Sequence, residues 1–180
     1  FFYLNSLFYL PVIKYFTFTI GAALILGFSN LIFFKIILEK LKTKKNDLIF
    51  YFSLSSFIFV NIFFYRLQEH GTDRSAQILI LILFLQLLVF LDFGKNTKYE
   101  LHQMIVILGL IISLKAFYIL YLLVPLVVLW ILYRENKLYI FKNFLKNKVF
   151  YGFLILIFAV LITNFLNTGC LIYPLNLTCF

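Results

Sequence analysis

Residues 66–77 have the sequence Arg-Leu-Gln-Glu-His-Gly-Thr-Asp-Arg-Ser-Ala-Gln, in which charges of both signs, a histidine and a glycine are crowded together. Apolar runs flank this stretch at residues 48–65 and 78–90. Such runs are typical of membrane-spanning helices, and a polar stretch between two of them is a loop at the membrane surface. The sequence therefore predicts membrane crossings joined by polar loops, and any recognition or chemistry is expected in those loops.

The composition of the whole chain leads to the same prediction. Hydrophobic residues make up 64% of the 180 residues, and charged residues make up 13%, whereas soluble domains contain about 25% charged residues. The predicted fold class is an all-α polytopic bundle of transmembrane helices. In a soluble protein a net charge of +9 would favour nucleic acid as a binding partner. In this chain the lysines concentrate in the predicted loops, as the positive-inside rule requires. We therefore expect membrane lipid as a partner and no nucleic acid.

The uninterrupted apolar run at residues 101–133 is too long for one crossing. As a single helix it would be about 50 Å long, whereas the hydrocarbon core is about 30 Å thick. The flanking segments, residues 92–100 with two lysines and residues 134–148 with five basic residues, are both expected on the cytoplasmic side. The run is therefore predicted to be a hairpin that breaks near Ser113-Leu114-Lys115, with a kink at Pro125.

Together the apolar runs predict six membrane segments. We place them at residues 16–38, 48–65, 76–92, 101–114, 116–133 and 147–166. The cytoplasmic side is assigned to residues 39–47, which contain four lysines and two acids. Residues 66–77 and 167–180 then form exported loops, and residues 134–148 form an amphipathic helix on the cytoplasmic membrane surface.

The polar stretch and the broken hairpin supply the candidate binding residues. These are Glu69, His70, Asp73, Arg74, Gln77 and Lys115. An arginine in such a loop binds phosphate oxygens, and a carboxylate accepts a proton or binds a metal. The alternative is a solvated loop in which Thr72 or Asp73 caps the following helix.

Lys115 is an ionisable residue inside an apolar run, and such residues are costly in a membrane and usually functional. At a hairpin tip it would pair with a ligand phosphate, or with Glu69 or Asp73. The alternative is that its side chain simply extends to a nearby membrane surface.

Cys170 and Cys179 both lie in the last predicted exported loop, in a compartment that permits a disulfide. Whether they are bonded stays open, because the geometry of the bond cannot be read from sequence. His102 is expected to be solvated at a membrane edge. The two histidines lie far apart and no clustered ligand spacing is present, so we predict no metal site and expect no cofactor.

Three pieces of the chain carry a resemblance to a known group of proteins. They are Leu10-Pro11 with Lys14 and Gly27–Leu31; Tyr65-Arg66 with Glu69–Asp73, Gln77 and Ser113–Lys115; and Thr168–Pro174. With these pieces the chain resembles bacterial polytopic envelope proteins that are placed near the GT-C-type glycosyltransferases, which use sugars carried on polyprenyl phosphate.

This resemblance implies that the chain is a fragment of a larger GT-C-like membrane protein. It implies a function in cell-envelope glycan assembly, in which lipid-linked sugars are transferred or polymerised at the outer face of the bacterial inner (plasma) membrane. The partner would be a polyprenyl-phosphate-linked sugar. The essential acid of such enzymes lies in the first exported loop and is expected upstream of Phe1, so the catalytic residue stays unassigned.

Two other functions remain open at this point. A membrane transporter or a flippase for lipid-linked glycans would equally contain a broken hairpin and an intramembrane Lys115. A structural subunit of a membrane complex would also be rich in apolar helices.

Overall fold

The computed structural model describes residues 20–64, 73–92, 98–134, 136–172 and 176–179. Within these ranges the chain forms seven α-helices, two short 3₁₀ segments and no β-strand. The predicted all-α fold class is confirmed. The helices are α1 (Ile20–Lys42), α2 (Leu48–Phe63), α3 (Asp73–Asp92), α4 (Lys98–Leu114), α5 (Leu123–Arg134), α6 (Leu138–Leu145) and α7 (Lys148–Thr168), and the 3₁₀ segments are Ala116–Leu122 and Asn176–Thr178.

Four helical segments of the described chain are long and apolar enough to cross a membrane. They are Ile20–Lys42, Arg74–Asp92, Ala116–Arg134 and Lys148–Thr168. The apolar helices α2 and α4 are shorter, with 16 and 17 residues, which corresponds to lengths of about 24 and 26 Å. The protein is an integral membrane protein.

Several helices extend beyond the predicted membrane segments. Helix α1 continues to Lys42 rather than ending at residue 38, and Glu39 in this extension forms an ion pair with Lys35 at 3.9 Å. Helices α3 and α4 each begin three residues before the predicted segments at residues 76 and 101. An apolar run shows which residues lie in the hydrocarbon, but helical backbone hydrogen bonds continue into the polar residues at its ends. The helices are therefore longer than the apolar runs.

The long apolar run is interrupted at Lys115, within the predicted break. Helix α4 ends at Leu114, and Lys115 adopts an extended backbone with φ −157° and ψ 118°. The chain then forms the 3₁₀ segment before α5 begins. Pro125, where the sequence predicts a kink, is the third residue of α5 and follows directly on the 3₁₀ segment. The predicted kink stays a prediction.

The chain divides into two compact units, Phe1–Val89 and Phe90–Phe180. In the first unit α1 and α2 pack against each other across a short turn. Asp47 caps α2 by accepting a hydrogen bond from the Phe50 N–H at 3.0 Å, and its carboxylate forms an ion pair with Lys40. The turn is therefore fixed by one residue that serves both helices.

Polar side chains also join α1 to α2 within the apolar part of the pair. The amides of Asn30 and Asn61 donate to each other at 3.3 and 3.0 Å. Ser29 and Ser53 are buried in the same unit, where their small side chains suit close helix packing. Small and hydrogen-bonding residues are the usual means of joining helices in lipid, because apolar side chains gain little there by leaving lipid for protein.

In the second unit α4 and α7 form a parallel pair. Near their starts, Asn147 Nδ2 lies 2.6 Å from His102 Nε2. Seven residues further along α4, Gly109 lies beside Phe153 and Leu156 of α7. Both helices therefore start at the same end of the unit and run in the same direction.

Helix α6 lies at the shared start of this pair. Ile140 and Phe144 are buried, whereas Lys142 on the same helix is exposed. The Phe144 ring contacts His102 of α4 with ring centroids 5.1 Å apart and Phe150 of α7 with centroids 5.5 Å apart. The helix is amphipathic, as its interleaved lysines and apolar residues predict.

His102 is not the solvated residue expected from its sequence neighbours. Asn147 caps α7 by accepting the Val149 N–H at 3.2 Å, which leaves its amide nitrogen to donate to His102 Nε2. The imidazole is also half-buried against Phe144. It therefore links the starts of two helices.

We expect Gly109→Leu to destabilise the second unit. A Cβ atom at this position would lie 3.2 Å from both Phe153 Cδ2 and Leu156 Cδ2, so a larger side chain must push α4 and α7 apart. Overpacking of this kind typically costs about 1–3 kcal/mol. The measurement is the thermal unfolding midpoint of the purified protein in detergent.

Gly152→Leu is the matched control, because no atom lies within 4 Å of a Cβ at that helical position. Its unfolding midpoint should stay close to that of the wild type. Equal losses in the two variants would contradict a specific close approach at Gly109.

Asp47→Ala should lower the stability of the first unit by about 1 kcal/mol, because α2 loses its cap. Asp47→Asn keeps an oxygen for the Phe50 N–H and loses only the charge. The hydrogen bond from Lys40 holds the pKa of the Asp47 carboxyl below its ordinary value of 3.8.

A lowered pKa stabilises the folded state at pH values above the unfolded-state pKa, and this contribution is lost as the pH falls through the folded-state pKa. The stability difference between wild type and Asp47→Asn should therefore be largest at neutral pH and should shrink as the pH falls below about 4. Denaturant titrations at several pH values would measure it. A difference independent of pH would contradict the ion pair.

Candidate functional site

The sequence-predicted residues of the exported loop fall partly within the described structure. Glu69 and His70 lie outside the described residues. Asp73 is the first residue of α3. Arg74 is half-buried and Gln77 is exposed. These two residues are three positions apart on α3, so they share a face of the helix.

Lys115 occupies the interruption between α4 and the 3₁₀ segment. Its N–H donates to the Ile111 carbonyl at 3.3 Å, and its carbonyl accepts from the Tyr118 N–H at 3.0 Å. The residue is half-buried between Leu114 and Ala116, which are buried. Lys115 thus ends one helix and begins the next segment without leaving its own backbone groups unpaired.

The position of Lys115 along the bundle follows from helix geometry. The apolar part of α4 starts at Leu101, and fourteen further residues at 1.5 Å each bring the chain about 21 Å into a hydrocarbon core about 30 Å thick. Helix α7 starts level with α4 and has 21 residues, which is about 32 Å and enough to cross completely. With the helix axes along the membrane normal, Lys115 lies about 9 Å short of the far boundary of the hydrocarbon.

Two tyrosines follow Lys115 at intervals of three residues. In a 3₁₀ helix side chains three residues apart are eclipsed, so Tyr118 and Tyr121 share one face of the segment. Their ring centroids are 5.9 Å apart, and both residues are half-buried. Sequence reasoning missed this pair because the chain has 12 tyrosines, and a single interval of three residues does not distinguish a 3₁₀ segment from an α-helix.

The end of α7 carries a small closed loop. Gly169 ends the helix with a positive φ of 71°, and the sulfur atoms of Cys170 and Cys179 are bonded. Within the loop the Leu171 N–H donates to the Thr178 carbonyl at 3.0 Å, and the amide of Asn164 on α7 donates to the Leu171 carbonyl at 2.9 Å. The loop is therefore tied both to itself and to the last turns of α7.

A family model described as a domain of unknown function (DUF8201) matches residues 1–180 of the chain. The chain belongs to the DUF8201 family. No curated protein and no solved structure matches it.

The described residues of this DUF8201 protein supply one set of groups suited to an anion inside an apolar surrounding. A lysine ammonium binds phosphate oxygens, and phenolic hydroxyl groups such as those of Tyr118 and Tyr121 both donate and accept hydrogen bonds. In the described part of the chain no group of three or more His, Cys, Asp or Glu residues is placed to hold a metal ion. Lys115, Tyr118 and Tyr121 are of residue types that bind a phosphate or a hydroxyl-rich ligand directly.

We expect the two cysteines of the DUF8201 protein to be blocked in intact cells. The chain contains only two cysteines, so a membrane-impermeant maleimide should label it only after treatment with a reductant. Loss of the bond in Cys170→Ser should lower stability by about 2–3 kcal/mol, because the closed loop is short. Labelling without reductant at the level of a reduced sample would contradict a disulfide in the cellular protein.

Proposed function

We propose that this DUF8201 protein takes part in cell-envelope glycan assembly. In this proposal it transfers or polymerises sugars carried on polyprenyl phosphate at the outer face of the bacterial inner membrane. The observation that carries the proposal is the helix break at Lys115, which places a half-buried lysine between two apolar segments of the second unit. An ionisable residue at such a depth is costly and is usually retained for a function.

Two independent signals support the orientation. The shared start of α4 and α7 carries Lys142, Lys146 and Lys148, and basic residues favour the cytoplasmic side. The opposite end of α7 carries the Cys170–Cys179 disulfide, and disulfides persist in oxidising compartments outside the cytoplasm. Both signals favour the exported side for the membrane face nearer to Lys115.

The depth of Lys115 suits the phosphate of a membrane-anchored carrier. A polyprenyl chain lies in the hydrocarbon, so its phosphate lies at the boundary with the headgroups. From about 9 Å below that boundary a lysine side chain extends towards the surface. In the proposal the Lys115 ammonium binds a phosphate oxygen there, and the hydroxyl groups of Tyr118 and Tyr121 bind the sugar.

The exported loop is a separate set of candidate residues that rests on the sequence alone. Glu69, His70, Asp73, Arg74 and Gln77 keep the role predicted from the sequence. Arg74 would bind phosphate oxygens in a forked geometry, and a carboxylate of the loop would accept a hydroxyl proton.

A transporter or flippase for the same lipid-linked glycans is the second candidate. The observation that favours it is the interrupted membrane segment, since transporters commonly build their binding sites from discontinuous helices. The two functions share the ligand and differ in the step that follows binding.

Binding of the carrier tests the part common to both candidates. Purified protein in detergent should be stabilised by undecaprenyl phosphate and much less by undecaprenol, which lacks the charge. A hydrogen bond to a charged group contributes about 1.5–3 kcal/mol, so Lys115→Gln should weaken binding by at least tenfold, while Lys115→Arg retains most of it. Lys44→Gln removes an exposed loop lysine and serves as the control. If the wild type and a folded Lys115→Gln variant bind undecaprenyl phosphate equally, the proposal is overturned.

The step after binding separates the two candidates. A transferase should move sugar from a polyprenyl-phosphate donor to an acceptor in detergent solution, where no bilayer exists. A flippase should show no transfer in detergent but should expose the donor on the opposite face of sealed vesicles. Transfer that needs neither Lys115 nor the exported loop would place the chemistry elsewhere.

A further inference from the structure

A shallow apolar groove runs between α4 and α7, with a volume of about 260 Å³. Every described residue that lines it is apolar, including Val106, Leu110, Val149 and Leu156 beside the two glycines Gly109 and Gly152. Gly152 is exposed, and no atom lies within 4 Å of the position a Cβ would take there. The groove is therefore open to its surroundings at Gly152, and its lining matches a hydrocarbon chain.

The groove occupies one leaflet of the membrane. Along α7 it extends from Val149 to Leu156, which is about 10 Å of helix. Val149 is the second residue of α7, so the groove starts at the basic end of the bundle. Since half of the hydrocarbon core is about 15 Å thick, the groove lies at the depth of the acyl chains of the nearer leaflet.

Exposed lysines lie close in the chain to the residue at which the groove begins on α7. Lys148 immediately precedes Val149, and Lys146 and Lys142 belong to the adjoining turn and to α6. All three are exposed, and among the described residues no carboxylate lies within ion-pair distance of any of them. An apolar groove that starts beside several basic residues is complementary to a molecule with a hydrocarbon tail and an anionic head.

We propose that the groove binds one acyl chain of an anionic phospholipid whose headgroup phosphate is held by Lys146 and Lys148. Basic residues at a membrane surface attract anionic lipids, and the groove adds a place for the chain that a flat basic surface lacks. The site lies at the opposite end of α4 from Lys115 and does not depend on the proposed function.

Native mass spectrometry of the purified full chain tests the site with two lipids that have the same acyl chains. Dioleoyl phosphatidylglycerol should bind more tightly than dioleoyl phosphatidylcholine, because only the former carries a net negative charge. Each lysine near an anionic surface contributes roughly a fivefold change in affinity. Lys146→Gln combined with Lys148→Gln should therefore weaken phosphatidylglycerol binding by about 25-fold and leave phosphatidylcholine binding almost unchanged.

Two further variants separate the groove from general electrostatic attraction. Lys44→Gln combined with Lys45→Gln removes the same charge from the α1–α2 turn and should leave phosphatidylglycerol binding unchanged. Gly152→Leu fills the open part of the groove without meeting any atom within 4 Å. It should reduce the binding of phosphatidylglycerol by at least fivefold while the unfolding midpoint in detergent stays at the wild-type value.

Free glycerol 1-phosphate, added as the headgroup alone, should not compete with phosphatidylglycerol at equal concentration. Effective competition by it would show an anion site without a chain site and would overturn the proposal. The same holds if the two lipids bind equally, if the two double-lysine variants lose equal affinity, or if Gly152→Leu binds phosphatidylglycerol like the wild type.

Discussion

Backbone polar groups must be paired inside hydrocarbon that is about 30 Å thick, and the second unit is arranged around this constraint. Its long apolar run is interrupted at Lys115 and does not continue as one α-helix. At this break the N–H and the carbonyl of Lys115 are both used by the segments that it separates. The chain then returns through the 3₁₀ segment and α5 to the start of α4. Helix α6 lies there, and α7 consequently starts beside α4 rather than at the opposite face.

In both units a few small or polar residues join the helices, but these residues lie at different positions along the helices. In the first unit a pair of asparagine amides lies within the apolar part of α1 and α2, and Asp47 fixes the turn. In the second unit a glycine permits close approach of α4 and α7, and the His102–Asn147 contact fixes their starts. In lipid, packing and hydrogen bonds hold helices together, because burial of apolar surface against protein gains little over contact with lipid. A few small or polar residues therefore determine which helices pair.

The sequence predicted those features of the fold that depend on the thickness of the membrane or on its boundary with water. The break near residues 113–115 followed from the mismatch between the length of the run and the thickness of the core, and α6 followed from lysines interleaved with apolar residues. The sequence did not predict the tertiary contacts between helices. His102 and Asn147 are 45 residues apart, and Gly109 and Gly152 differ only in what the neighbouring helix places beside them. The 3₁₀ geometry that aligns Tyr118 with Tyr121 likewise leaves no distinct pattern in an apolar segment.

The parallel pairing of α4 with α7 has a consequence for biosynthesis. Chain elongation proceeds at roughly 5–20 residues per second, so the 45 residues between His102 and Asn147 correspond to about 2–9 seconds of translation. Helices α4 and α5 are completed within that interval, but α7, the partner for the Gly109 face of α4, is not yet made. Lipid must cover that face until α7 enters the bilayer. The hairpin is therefore inserted before its packing is complete. In the interval, membrane insertion machinery or surrounding lipid must cover the Gly109 face of α4 in the nascent protein.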